Sequence, residues 1–243
     1  MALYFNARVN TILGKGFGGT DASVPLLRKL KEAGTREIFL GIESGSRQQI
    51  KRFGKSATAE HNMEALMLLQ NLGFQVDVGF IMFDPEMCIE DVEYNIDFLK
   101  KAGLVNHDAR MAKKMRVEPF TPFEHEMLSS GIVSDVLDVD DLTYGYEMKD
   151  PVVDVVYRTY RKWEVEAESF AYRLQARCRG EVPSEDERVA NKRALGKLRG
   201  LDLEYLETCV KTAKESPETL LTDTKVKDAF ESRRRKLIGE IQI

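Results

Sequence analysis

Short apolar runs alternate with amphipathic segments along the first half of the chain. Runs of strand length lie at residues 3–9, 37–43, 75–81 and 114–120, and segments with helical periodicity at 21–33, 58–72 and 89–102. Thr20 or Asp21 is the expected N-cap of the first helix and Thr58 that of the second, and a glycine follows each helix. Since strands and helices alternate, we predict four parallel strands joined by right-handed crossovers.

The pattern changes after residue 129. Residues 135–141 form an acidic segment that we interpret as a connector, and helical periodicity returns at 152–179, 184–214 and 224–238. Gly180 with Pro183, and Ser216 with Pro217, are expected to end helices. The predicted fold class is α/β: a partial parallel (β/α) barrel of about four strands at 1–132, and a helical C-terminal region at 133–243.

Composition indicates an ordinary globular protein. Of 243 residues, 43% are hydrophobic and 31% charged, which provides enough apolar side chains for a core. The formal net charge is −4, so no nucleic-acid partner is expected, and the basic run at residues 233–236 is interpreted as a solvated helix face. Neither a membrane span nor a signal peptide is apparent, so we expect a cytoplasmic protein. Tyr157, Tyr160, Trp163 and Phe170 recur at helical spacing and predict a packing stripe.

The cysteines and histidines do not form a metal-binding pattern. Cys88, Cys178 and Cys209 are far apart in the sequence, which excludes a CxxC-type zinc site and a local cluster-binding loop. The histidines also lack metal-like spacing, and we expect structural or surface roles for them; they are His61, His107 and His125. The expectation is therefore that this chain ligates no metal.

Polar residues follow the predicted strands at the ends where parallel βα folds bind ligands. Glu43 and Ser44 follow the second strand, and Lys51–Lys55 (KRFGK) adds cationic groups before the next helix. Lys51 and Arg52 are expected to be solvated, which leaves Lys55 as the better candidate. Gly79, near the end of the third strand, allows a ligand to approach the backbone or allows close packing.

Four segments in this order carry a family resemblance: residues 30–46 (LKEAGTREIFLGIESGS), the KRFGK segment, residues 79–91 (GFIMFDPEMCIED) and residues 118–124 (EPFTPFE). Together they resemble the radical S-adenosylmethionine (radical SAM) superfamily, most of all its cobalamin-associated branch. The resemblance covers about residues 3–132. It implies an enzyme with an S-adenosylmethionine cofactor, a [4Fe–4S] cluster and a small-molecule substrate.

The resemblance also implies roles for individual residues. Glu43 and Ser44 match the strand end that holds the methionine or ribose part of S-adenosylmethionine, and Lys55 matches a basic residue that faces its carboxylate. Gly79 and Ile81 match the strand that lines the ribose and adenine. Arg8 matches a common arginine of the third family strand. Phe83 stands where the family usually has glycine, which is expected to crowd the adenine side.

The family's CxxxCxxC loop and its first two strands have no counterpart in this chain. The cluster would therefore be ligated by residues outside it, and this chain alone is expected to be inactive. Three situations fit: a piece of a longer enzyme, which we favour; a chain whose missing N-terminal half is a separate subunit; or a non-catalytic ligand-binding or assembly protein. One further alternative is a dinucleotide-binding oxidoreductase, because Gly14–Gly19 (GKGFGG) matches G-x-G-x-x-G.

A half barrel predicts self-association or marginal stability. The strands at residues 3–9 and 114–120 would each present an open edge of unpaired backbone groups. Sedimentation velocity over a concentration series is expected to show oligomers of the purified chain. A monodisperse monomer with a high melting temperature would contradict this prediction.

Overall fold

The computed structural model describes residues 3–106, 113–179, 184–222 and 224–241. Its strands are β1 (Leu3–Arg8), β2 (Thr35–Glu43), β3 (Gln75–Phe80), β4 (Val133–Asp138) and β5 (Thr143–Tyr146). Its helices are α1 (Val9–Ile12), α2 (Thr20–Glu32), α3 (Arg47–Arg52), α4 (Ala59–Asn71), α5 (Ile89–Lys101), α6 (Pro122–Ser129), α7 (Pro151–Arg179), α8 (Glu185–Glu215), α9 (Pro217–Thr222) and α10 (Lys225–Glu240). The expected break at Gly180 and Pro183 lies outside the described residues.

The chain forms two compact units. The first comprises Met1–Phe80 and Tyr94–Arg110, and the second comprises Ile81–Glu93 and Met111–Ile243. The chain therefore passes from the second unit back to the first within α5. The predicted domain boundary at residue 132 stays a prediction.

A parallel sheet of order β1-β2-β3 forms the centre of the first unit. Every second residue of the central strand β2 is buried, including Ile38, Leu40 and Ile42. Leu66 and Leu69 of α4 are also fully buried, so the crossover helix contributes its apolar stripe to this core. The prediction of parallel strands joined by helices is confirmed for these three strands.

Helix α4 begins where the sequence predicts. The Thr58 hydroxyl accepts a hydrogen bond from the His61 backbone, and the His61 side chain accepts one from the Thr58 backbone, which completes a capping box. The buried face of α4 includes one polar residue. Leu66 and Leu69 share it with Asn62 and Ala65, whereas Met63 is only half-buried, so a polar side chain lies within the apolar stripe.

The start of α2 differs from the prediction. Gly19, not Thr20 or Asp21, is the N-cap residue, with φ 69° and ψ −160°, a conformation that favours glycine. The loop Gly14–Gly19 closes tightly, since a Cβ on Gly14 would lie 1.9 Å from the Gly19 carbonyl oxygen. The loop follows the helical turn α1 rather than a strand, so it lacks the strand–loop–helix context of a dinucleotide fingerprint.

The predicted fourth strand is reduced to one bridge among the described residues. Lys114 pairs in parallel with Phe83, and the segment then turns to the β4–β5 hairpin, where the Tyr144 N–H donates to the Val117 carbonyl at 3.0 Å. The Lys114 ammonium lies 3.6 Å from the Tyr146 ring centroid, and burial lowers the pKa of Lys114. Phe120, at φ 64°, ends the extended segment.

The acidic segment at residues 135–141 is not a plain connector. Its first part belongs to β4, which pairs antiparallel with β5. The Asp138 carboxylate accepts hydrogen bonds from the N–H groups of Asp140 and Asp141, at 3.0 and 3.1 Å, within the turn. The Asp138 carboxylate therefore stabilises the hairpin turn, a short-range role that is typical of Asp.

Aromatic residues form the centre of the helical part of the second unit. Tyr160 and Trp163 of α7 are fully buried, and the Trp163 ring contacts Tyr205 of α8 and Phe230 of α10, with ring centroids 4.4 and 6.2 Å apart. Phe170 packs against a second buried cluster around Leu174 and Leu195. The predicted packing stripe is confirmed.

Charged groups are buried beside these rings. Arg234 was expected to be solvated with its neighbours but is only 6% exposed; its guanidinium lies 3.6 Å from the Trp163 ring centroid, donates to the Trp163 carbonyl at 2.6 Å and pairs with Glu166. The Trp163 indole N–H donates to Asp202 at 2.9 Å. Burial raises the pKa of Asp202, although Arg199 opposes this shift. As pH rises from the unfolded to the folded pKa of Asp202, the free energy of unfolding therefore decreases.

None of the described helices is a candidate for crossing a membrane. The two longest, α7 with 29 residues and α8 with 31, are long enough but carry charged side chains throughout.

Two glycines are predicted to respond oppositely to alanine. A Cβ on Gly45 would lie 2.2 Å from the Phe98 Cβ and 3.0 Å from the Tyr94 carbonyl, so Gly45→Ala should lower the free energy of unfolding by about 2 kcal/mol or more. Gly200 lies inside α8 with open space around it, so Gly200→Ala should raise it by about 0.5–1 kcal/mol.

Urea denaturation followed by circular dichroism and by tryptophan fluorescence tests this pair. The only tryptophan is Trp163, in the same unit as Gly200, so the fluorescence transition should move upward in Gly200→Ala. A Gly45→Ala protein as stable as the wild type would contradict the packing described for the residues after β2.

Candidate functional site

The register of the sheet aligns the carboxyl ends of its strands. Arg8 of β1 pairs with Gly41 of β2, and Gly41 pairs with Gly79 of β3. Beyond this level the β2–β3 register shifts, and Glu43 pairs with Phe80. One extra residue in β2 makes a bulge at the edge where parallel βα folds bind their ligands.

Glu43 has an unusual backbone conformation. Its φ is 67°, and the Ser44 N–H donates to the Ile42 carbonyl at 2.9 Å, which closes a three-residue turn around Glu43. This combination is typical of the strained form of the γ-turn, which is rare for non-glycine residues. Backbone strain of this kind is often found at binding and catalytic sites.

Two glycines leave room for the Glu43 carboxylate. A Cβ on Gly41 would lie 2.8 Å from Glu43 Oε1, and a Cβ on Gly79 would lie 3.6 Å from Oε2. The Gly79 position is also closed by Phe39, whose Cζ would lie 2.8 Å from that Cβ. Gly79 therefore serves packing, and it also keeps space beside the carboxylate.

Lys55 pairs with Glu43, so the structure brings together two of the predicted site residues. The Lys55 Nζ lies 3.0 Å from Glu43 Oε1, and the side chains are 33% and 21% exposed. A partly exposed pair of this kind contributes at most about 1 kcal/mol to stability. Its two charges remain accessible for exchange with charged groups of a ligand.

Ser44 is buried, unlike the neighbouring Glu43–Lys55 pair. It is fully buried, and its hydroxyl lies 2.6 Å from Gln49 Oε1 and 2.8 Å from Asn95 Oδ1. The Asn95 oxygen also accepts from the Gly45 N–H at 2.8 Å. Ser44 thus belongs to a buried network that fixes the turn after β2, and its predicted contact with a cofactor stays a prediction.

Asn62 contributes a second buried amide, which the sequence analysis missed. Its Nδ2 donates to the carbonyl oxygens of Ile42 and Ser44, at 3.1 and 3.0 Å, on both sides of Glu43. The sequence signal was present, because Asn62 lies four residues before Leu66 on the apolar stripe of α4. A lone Asn at such a position indicates a buried hydrogen-bonding task.

The remaining predicted residues are not part of the Glu43–Lys55 ion pair. Arg8 is exposed and ends β1, level with Gly41. Ile81 is half-buried and is the first residue of the second unit. His61 caps α4, as a structural role predicts, and His107 lies outside the described residues.

The metal-binding side chains do not cluster. Across residues 3–106, 113–179, 184–222 and 224–241, no group of three or more His, Cys, Asp or Glu side chains could hold an ion. Cys88 precedes α5, Cys178 lies near the end of α7, and Cys209 is buried within α8. The carboxyl edge of the parallel sheet, here called the strand-end opening, instead carries one carboxylate, Glu43, and two cations, Lys55 and Arg8. This combination suits a small ligand with groups of both signs.

Two curated proteins match parts of this chain. No protein-family model matches the chain. A 4'-phospho-dehydrooxetanocin synthase of Priestia megaterium is 49% identical over 70 residues, which cover 28% of this chain and 9% of that protein. An uncharacterised methyltransferase of Pyrococcus horikoshii is 29% identical over 99 residues, 41% of this chain and 19% of that protein. The alignments thus span under a fifth of each curated relative.

Solved structures are similar over nearly the whole chain. The cobalamin-dependent S-adenosylmethionine radical enzyme OxsB, with aqua-cobalamin and S-adenosylmethionine bound, aligns with a TM-score of 0.78 and 19% identity over 99% of this chain and 42% of its own. The structure with aqua-cobalamin alone gives 0.74 and 20%, over 97% and 38%. The predicted resemblance to the radical SAM superfamily is confirmed: this chain has the fold of part of a cobalamin-dependent radical SAM enzyme.

Proposed function

We propose that this chain is the C-terminal portion of a cobalamin-associated radical SAM enzyme and contributes half of its S-adenosylmethionine site. One observation carries the proposal: the alignment with OxsB covers 97–99% of this chain but only 38–42% of the enzyme. The motif order supports it, because the segment that carries Glu43 and Lys55 matches the family's strand end. The finer fold proposal is a partial (β/α) barrel at residues 1–132, followed by a helical region.

The arrangement at the end of β2 suits the methionine part of S-adenosylmethionine, which carries an ammonium and a carboxylate. Glu43 would accept hydrogen bonds from the ammonium or from ribose hydroxyls, and Lys55 would turn from Glu43 to the carboxylate. Arg8 offers a second cation at the same edge. The proposal also assigns Gly79 and Ile81 to the ribose and adenine, with Ser44 supporting the turn.

The described cysteines do not fit a [4Fe–4S] cluster, which is ligated by thiolates held close together. They lie on separate elements, and burial raises the pKa of Cys88 and raises that of Cys209 to about 12. We therefore propose that ligands outside this chain hold the cluster. When bound there, S-adenosylmethionine supplies radical chemistry, to which this chain contributes binding and orientation. The supplier would be an N-terminal half or a separate subunit.

Thiol alkylation tests the cysteine assignment. Because Cys209 is fully buried and its thiolate is disfavoured, iodoacetamide should leave it unmodified in the native protein at neutral pH. Cys178 and Cys88 are half-buried and should react first, and all three should react in guanidinium. Mass spectrometry of peptides gives the site-by-site extent. Fast native modification of Cys209 would contradict the burial that the structure gives it.

Calorimetry with S-adenosylmethionine tests the half-site. We expect the wild-type chain to bind without iron, and Glu43→Gln and Lys55→Gln each to weaken binding about tenfold or more, because each removes a charge-assisted hydrogen bond worth about 1.5–3 kcal/mol. Lys51→Gln is the matched control, since it removes an exposed cation of α3. Equal losses in the two lysine variants would contradict a specific role for Lys55.

Anaerobic reconstitution with iron and sulfide, followed by an iron count on the same sample, completes the test. Binding of S-adenosylmethionine without iron would support the proposal. If the wild-type chain binds neither, the half-site is wrong. Stoichiometric iron retained after desalting would overturn the assignment of the cluster to residues outside this chain.

A further inference from the structure

We propose that Asn62 is a positioning residue: its side-chain amide holds the strained turn at Glu43 and thereby aims the Glu43 carboxylate at the strand-end opening. The inference rests on the proposed function for its ligand, and it assigns a role to a residue outside the motifs that resemble the family. Asn62 would not touch the ligand. It acts through the backbone on both sides of the residue that does.

The turn at Glu43 needs outside support because its conformation is costly. A non-glycine residue at φ 67° in a γ-turn is disfavoured and persists only where its surroundings fix it. The bond from the Ser44 N–H to the Ile42 carbonyl closes the turn. The β2–β3 register shifts between Gly41 and Glu43, so the regular ladder is interrupted immediately before the turn.

Asn62 supplies that support from the neighbouring helix. Its two amide hydrogens match two carbonyl acceptors, those of Ile42 and Ser44, at 3.1 and 3.0 Å. The side chain is 1% exposed, so water does not replace it. The Ile42 carbonyl also accepts from the Ser44 N–H, so loss of the Asn62 amide would leave the larger desolvation cost on the Ser44 carbonyl. The opposite amide orientation would place oxygen against oxygen, so the donor assignment follows from the acceptors.

The position of Asn62 is itself fixed. It lies in the first turns of α4, whose start is set by the Thr58–His61 capping box. Contacts therefore run from the start of α4 through the Asn62 amide to the turn at Glu43. The Glu43 carboxylate lies beside Gly41 and Gly79.

The first test compares Asn62→Asp and Asn62→Ala with Leu66→Ala. Asn62→Asp keeps the shape but replaces the donor by a carboxylate oxygen, whereas Leu66→Ala destabilises the same helix face without touching the turn. In nuclear magnetic resonance spectra, the wild type should show the strong contact between the amide and α protons of Glu43 that positive φ produces. Both Asn62 variants should lose it, and Leu66→Ala should keep it.

Affinity gives the second measurement. S-Adenosylmethionine should bind the folded Asn62 variants about tenfold more weakly than the wild type and should bind folded Leu66→Ala with unchanged affinity. If Asn62 were merely structural, each variant would lose binding only to the extent that it unfolds, and its folded fraction would bind like the wild type. Retention of the Glu43 proton contact in Asn62→Asp would overturn the inference.

Glycine scanning of β2 keeps the test decisive if the Asn62 variants do not fold. Glu43→Gly releases the strain, so its denaturation midpoint should equal or exceed that of the wild type. Glu37→Gly, at a position of the same strand that pairs with Tyr4 and Gln75, should lower the midpoint. Equal losses in both would show that the turn is unstrained and overturn the inference. If the wild-type chain does not bind S-adenosylmethionine, the proposed function and the ligand half of the inference fail, while the strain comparison still decides the turn.

Discussion

Two carbonyl groups at the carboxyl end of β2 determine how the first unit presents its polar edge. Strand β2 ends in a bulge and a turn, and the carbonyls of Ile42 and Ser44 lie on either side of Glu43 in that turn. Buried carbonyls must find donors. Both accept from Asn62, and Asn95 accepts from the N–H of the following Gly45. These side-chain amides support the turn at which the Glu43 carboxylate leaves the strand end.

The same pairing of strain with support explains the glycines. Gly41 and Gly79 lie side by side, and a side chain on either would press on Glu43 or Phe39. The strand-end opening therefore depends on the absence of side chains at Gly41 and Gly79 as much as on the charged residues. Lys55 balances the charge of Glu43, so neither charge is left unpaired in a partly buried place.

The second unit uses buried polar groups differently. Arg234 stacks on Trp163, donates to its backbone and pairs with Glu166, while Asp202 accepts from the Trp163 indole. These contacts join three helices through groups that are costly to leave unpaired, which favours one arrangement of α7, α8 and α10 over slipped alternatives. Their place in the middle of a helix bundle connects them with stability rather than with the strand-end opening.

The sequence by itself determined the elements and most of the candidate residues. Periodicity predicted the three parallel strands and their crossover helices, Thr58 predicted the cap of α4, and the ordered motifs predicted the family resemblance that the solved structures bear out. It failed where tertiary contacts override a local pattern. Val117 pairs with the β4–β5 hairpin rather than with the parallel sheet. Arg234, in a basic run, packs on the Trp163 ring.

Only the tertiary structure decided the geometry of the site. No pattern along the chain reveals that Glu43 has positive φ, that its partner is Lys55, or that Asn62 lies against the carbonyls on both sides of it. The spacing of apolar residues along the sequence indicates which face of a helix or strand is buried. The hydrogen-bond partners of a buried polar group depend on elements that meet only after folding, and for that reason the sequence could place Asn62 on α4 but not assign its task.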